Sequence, residues 1–149
     1  MKARQRLISA LLLAAGLATS GHAAPAGPPS QCRHPLASVA SPGQLPAAIV
    51  ASLKPWLAMH GEAWNATDSV SRGDLTARYL WAARSSGDWI VAYGVGGVTC
   101  CNVRLALFTP AAASFKRVIP PRGAPDNFGD STCKGVDAVL DAYGTRTWR

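Results

Sequence analysis

The side chains of this 149-residue chain best suited to chemistry are its four cysteines, Cys32, Cys100, Cys101 and Cys133. The middle two are adjacent, in "GVTCCNV", inside a stretch that alternates as a β-strand. Neighbours on a strand point to opposite faces, so they cannot grip one metal ion together. A ring between them also departs from ordinary disulfide geometry, which holds the two Cα atoms about 5.5 Å apart. Four cysteines can pair in three ways, and the two ways that avoid the ring use each cysteine on its own side of the sheet. Cys133 stands three residues before Val136, on the buried side of a C-terminal helix, and Cys101 points into the same core. The expected bridges are therefore Cys101–Cys133 and Cys32–Cys100. A metal site built from Cys32, His34 and Cys100 would need reduced thiols, and there is no C-x-x-C motif to support it. No cofactor is expected.

Catalytic motifs are scarce. The chain has no G-x-S-x-G elbow and no H-E-x-x-H helix. The glycines of "YGVGGVT" read as a hairpin turn, because no helix follows them to offer its N-terminus to a phosphate. His60 and Glu62 stand two residues apart at a helix end, where they do not face each other. Asp126 and Asp130 in "DNFGDS" lack the spacing of a calcium loop. An enzyme or metal-binding protein would have to work with Asp126, Asp130 and His34. That is the alternative to a protein that only binds.

The N-terminus bounds where such a protein works. Lys2, Arg4 and Arg6 precede an apolar run from Leu7 to Leu17, and Gly21 and Ala23 supply small residues before a cleavage point. This is the pattern of an export signal peptide over residues 1–23, too short to span a membrane stably. Its removal takes the formal charge from +7 to +4, because Lys2, Arg4 and Arg6 leave with it. A mild excess of this kind falls short of a nucleic-acid footprint, which needs a dense cluster of Lys and Arg. Residues 24–31 are Pro-rich and polar, a flexible lead-in. Residues 32–149 then form one domain of about 120 residues, small enough to gain from cross-links.

The elements follow from periodicity. Ser41, Pro42 and Gln44 start a helix whose apolar positions are Leu45, Ile49, Leu53, Trp56 and Leu57, with a break or kink at Pro55. Three strands come next, "LTARYLWAAR", "WIVAYGV" and "VTCCNVRLALFT", and "SFKRVI" adds a fourth. Val136, Val139, Leu140 and Tyr143 mark the last helix, with Gly144 after it. The fold class is α+β, an antiparallel meander of three to four strands with both helices on one face and two disulfides.

A four-residue loop sets Arg84 opposite Trp89, and a Gly96–Gly97 turn would set Val95 opposite Val98. One face then carries Tyr79, Trp81, Ala83, Ile90, Ala92, Cys101, Val103, Leu105 and Leu107, a core. The other carries Arg84, Trp89, Tyr93 and Arg104, with Arg84, Trp89 and Arg104 in one row across the strands. Trp, Tyr and Arg are the residue types enriched where proteins bind one another, so these four are the candidate binding residues.

The stretches "GEAWNATDSV" and "RYLWAARSSGDWIVAYGVGG" are similar in character to small exported proteins of Gram-negative bacteria. The small, stapled, sheet-based build resembles that of periplasmic inhibitor and immunity proteins. The expectation is a periplasmic or secreted, non-enzymatic binding protein, an inhibitor or immunity protein against a hydrolase or toxin. Its partner would be another protein, with no nucleic acid and no stable membrane insertion.

Overall fold

A computed structural model describes residues 27–67, 69–96, 102–122 and 127–145. The expected signal peptide (residues 1–23), Cys100, Cys101 and Asp126 lie outside the described residues. Five strands make one antiparallel sheet in sequence order: β1 (Ala37–Val39), β2 (Ala77–Ser85), β3 (Asp88–Val95), β4 (Asn102–Ala111) and β5 (Ser114–Arg117). Two helices accompany it, α1 (Ala47–Leu53) and α2 (Cys133–Tyr143). The α+β antiparallel meander is thus the fold, with five strands.

The Ser41 signal starts a separate 3-10 turn, Pro42–Gln44, rather than α1, which begins at Ala47 after Pro46, a residue that interrupts the expected single helix. The Gln44 side-chain oxygen accepts the Ala40 and Ser41 N–H groups at 2.8 and 3.4 Å. The helix stops at Leu53, two residues before Pro55, whose ring would clash with a carbonyl one turn back. Strand β4 runs through Pro110, which pairs with Phe115 on β5.

The two helices lie on opposite faces of the sheet, not on one. Ile49, Leu53 and Leu57 pack with Ala82, Val91, Ala106 and Phe108. Val136, Val139 and Leu140 pack with Trp81, Ala83, Ile90, Leu105 and Leu107. Strands buried on both faces carry near-continuous apolar runs, and "WIVAYGV" and "RLALF" are such runs. The result is a three-layer arrangement in which no sheet face is simply left to solvent.

The registers explain which side chains meet. Arg84 pairs with Trp89 as the loop length required, but a bulge between Tyr79 and Trp81 sets Tyr79 opposite Tyr93. Tyr79 thereby joins the α1 side and Leu80 the α2 side, since one extra residue reverses the alternation beyond it. Between β3 and β4 Val95 pairs with Asn102 rather than Val98. That slip of four residues is even, so each side chain keeps its expected face and changes its neighbours.

One disulfide is present among the described residues, and it joins Cys32 to Cys133. It overturns both expected bridges, Cys32–Cys100 and Cys101–Cys133. The reason lies in α2. Cys133, Asp137 and Asp141 recur every four residues, so they share a stripe flanking the buried one formed by Val136, Val139 and Leu140. Along this stripe runs the segment that follows Cys32. Asp137 accepts the backbone N–H groups of Arg33 and His34, both at 3.0 Å. Asp141 meets the Arg33 guanidinium, and its other oxygen lies 2.9 Å from His34 Nε2.

Candidate binding surface

Arg84, Trp89 and Arg104 do not form the expected row. Trp89 pairs with Phe108 and Tyr93 with Arg104, which places Trp89 and Tyr93 about 13 Å apart along β3. Arg84 is exposed at the β2–β3 hairpin, where its Nε donates to the Ser86 carbonyl at 3.0 Å. Trp89 is half-buried and meets Phe115 edge-on, with ring centroids 6.5 Å apart. Between the two ends Val91 is completely buried under α1. The expected open face is therefore covered in its middle and divided into two groups.

The Tyr93 group gains members that the sequence did not single out. Trp56, just past the break at Pro55, sets its ring edge against Tyr93 at a centroid distance of 5.0 Å. Its indole nitrogen donates to the Ser52 carbonyl at 2.9 Å, which fixes the ring. The Arg117 guanidinium, from the edge strand β5, lies 4.3 Å from the centre of the same ring. Arg117, Trp56 and Tyr93 thus form a continuous stack, and Arg104 stands across from Tyr93 on β4. "SFKRVI" was legible as a strand, but its side was not, because that depends on the β4–β5 register.

Charge is segregated around this stack. No Asp or Glu occurs between Trp89 and Pro125, while Arg104, Lys116, Arg117 and Arg122 all do. The carboxylates Asp130, Asp137 and Asp141 belong to α2 and the turn leading into it. A cationic, aromatic lip by α1 and β5 is therefore set apart from an acidic helix.

Of the residues of the enzymatic alternative, His34 and Asp130 are engaged elsewhere, and Asp126 lies outside the described residues. His34 contacts Asp137 and Asp141, as above, whereas the Asp130 carboxylate accepts the Thr132 N–H at 2.8 Å in the turn before α2. Hydrogen bonds from the Thr132 hydroxyl and N–H hold the Asp130 carboxyl below its usual range. Among the described residues no group of three or more His, Cys, Asp or Glu could hold a metal ion.

A second concavity, of about 420 Å³, opens at the edge of β2 beside Ser38–Pro42, His60, Tyr79 and Trp81. The Tyr79 hydroxyl and the Trp81 indole nitrogen have no hydrogen-bond partner among the described residues, but both atoms are buried and present no surface to it. Burial also raises the Tyr79 pKa. The lip by α1 and β5 is the better candidate, because its polar and aromatic groups reach the surface.

No family model, no curated protein and no solved structure matches this chain. No described helix is long and apolar enough to cross a membrane.

Proposed function

We propose that this is an exported, non-enzymatic binding protein that engages another protein through the lip formed by Arg117, Trp56, Tyr93 and Arg104. The observation that carries this reading is the Arg117–Trp56–Tyr93 stack, with distances of 4.3 and 5.0 Å. Trp, Tyr and Arg side chains are the types enriched in binding hot spots, and the aromatic rings bury large areas. Their placement on a disulfide-closed, three-layer scaffold means little order has to be gained on binding, which favours affinity. An inhibitor or immunity protein acting on a hydrolase or toxin in the periplasm is the form this reading takes, supported by the leader and the small stapled domain.

The test is affinity capture from periplasmic extract with the wild type, Trp56→Ala, Arg104→Ala and a control, Glu62→Ala. A partner held by the wild type and the control, and lost from both lip variants, is the expected result. Capture of the same set by all four proteins would sink the reading.

A further inference from the structure

The strand that carries Arg117 is the outermost of the sheet, and no other described strand pairs with its far side. The Val118 N–H donates inward to Leu107 at 2.8 Å. By alternation the backbone N–H and C=O groups of Phe115 and Arg117 point outward, away from β4. An exposed row of such groups is a template for another strand. Beside it lies a groove of about 390 Å³ lined by Thr109, Lys116, Arg117, Val118 and Ile119. Ile119, 82% exposed, lines this groove, so an apolar side chain stands open beside the strand edge.

We infer that an extended, acidic segment of a partner protein docks along the open edge of β5, adding a sixth strand to the sheet. The inference rests on the reading that this protein binds another protein, and it names how. The outward groups of Phe115 and Arg117 supply the main-chain ladder, and the Ile119 groove takes an apolar side chain. Lys116 and Arg117 select for acid on either side of the added strand, in a part of the chain free of Asp and Glu. The same cations disfavour a second copy of this chain as the occupant. Two β5 edges brought together antiparallel would set Lys116 and Arg117 of each against those of the other, and like charges directly opposite are destabilising.

The experiment uses the folded, oxidised protein, labelled with nitrogen-15, and three capped peptides. One alternates Glu and Val, one alternates Lys and Val, and the third is the Glu/Val peptide N-methylated at alternate residues. The Glu/Val peptide is expected to shift the Phe115 and Arg117 amide resonances and slow their hydrogen exchange. The other two peptides should bind at least about tenfold more weakly, as should Lys116→Glu toward the Glu/Val peptide. Equal binding of the Glu/Val and Lys/Val peptides would overturn the proposal. So would protection of Phe115 and Arg117 that rises with protein concentration alone, which would mark self-pairing. Shifts confined to the Trp56 and Arg104 side chains would overturn the edge docking and leave the lip as a binding surface. Absence of any shift, together with failed capture of a partner, would remove both.

Discussion

Arg117 lies over the ring of Trp56 at 4.3 Å, which ties the edge strand β5 to the segment leaving α1. Neither residue belongs to the element it touches, so the pair fastens one layer of the fold to the next. It also holds the cation against an aromatic face, and among the described residues no carboxylate pairs with it.

The strength of that tie can be measured. In a double-mutant cycle of Trp56→Leu and Arg117→Met, urea unfolding should give a coupling energy of about 0.5–1 kcal/mol. Because Arg117 is partly exposed, the coupling should shrink in 1 M salt, where the Debye length is about 3 Å. A coupling near zero at low salt would show that the stack is proximity without attraction.

The Cys32–Cys133 bridge closes a loop with a sequence separation of 101. Replacing both cysteines by serine should cost about 3–5 kcal/mol, as for a long loop in the chain-entropy model. Peptide mapping without reduction should recover the fragment ending at Arg33 joined to the one ending at Lys134. The tryptic fragment from Ser85 to Arg104, which holds both Cys100 and Cys101, should then be linked to no other fragment. Any peptide joining Cys32 to Cys100 would contradict the pairing described above.

Acid should loosen the strap along α2. Burial works against ionisation of Asp137, but the His34 and Arg33 N–H groups and the nearby cations outweigh it and lower its pKa. A carboxyl held lower in the folded state contributes stability fully above its unfolded pKa of about 3.9, and that contribution fades as pH falls through the folded value. The Tm of the wild type should therefore drop more steeply below about pH 4 than that of Asp137→Asn. Parallel curves for the two proteins would deny Asp137 this role.

Gly135 offers a test in which the usual rule reverses. An alanine inside a helix normally gains about 0.5–1 kcal/mol over glycine. Here a Cβ at position 135 would stand 2.0 Å from the Asp130 carbonyl oxygen, which is backbone and cannot swing aside. Gly135→Ala should destabilise the protein by about 1–3 kcal/mol, read as a lower urea midpoint at unchanged m value.

Much of this architecture was legible in the residues. Helix α2 showed in Val136, Val139 and Leu140, the β2–β3 hairpin in its four-residue loop, and the end of α1 in Pro55. The face of most strand residues was right, even though the β3–β4 register was four residues off, because an even slip conserves parity. The bulge at Leu80 gave no signal, since neither Gly nor Pro stands there, and it moved Tyr79 across the sheet. The disulfide escaped because Cys133 is three residues from Val136, which places it beside the buried stripe as readily as within it. The lip was half-legible. Tyr93 and Arg104 were in view, while Trp56 and Arg117 depended on a helix break and a register that only the tertiary structure sets.

The position of Cys133 also has a bearing on how the native bond can form. During vectorial synthesis Cys32 emerges first, Cys100 and Cys101 follow, and its true partner comes last. An oxidant acting on the emerging chain meets two wrong thiols before the right one exists. Fast, indiscriminate oxidation would bond Cys32 to Cys100 or Cys101 and leave α2 without its strap. Correct maturation thus requires either that folding precede oxidation or that a disulfide isomerase repair the early bond by thiolate exchange. Yield of the native protein should depend on which enzymes of that kind share its compartment.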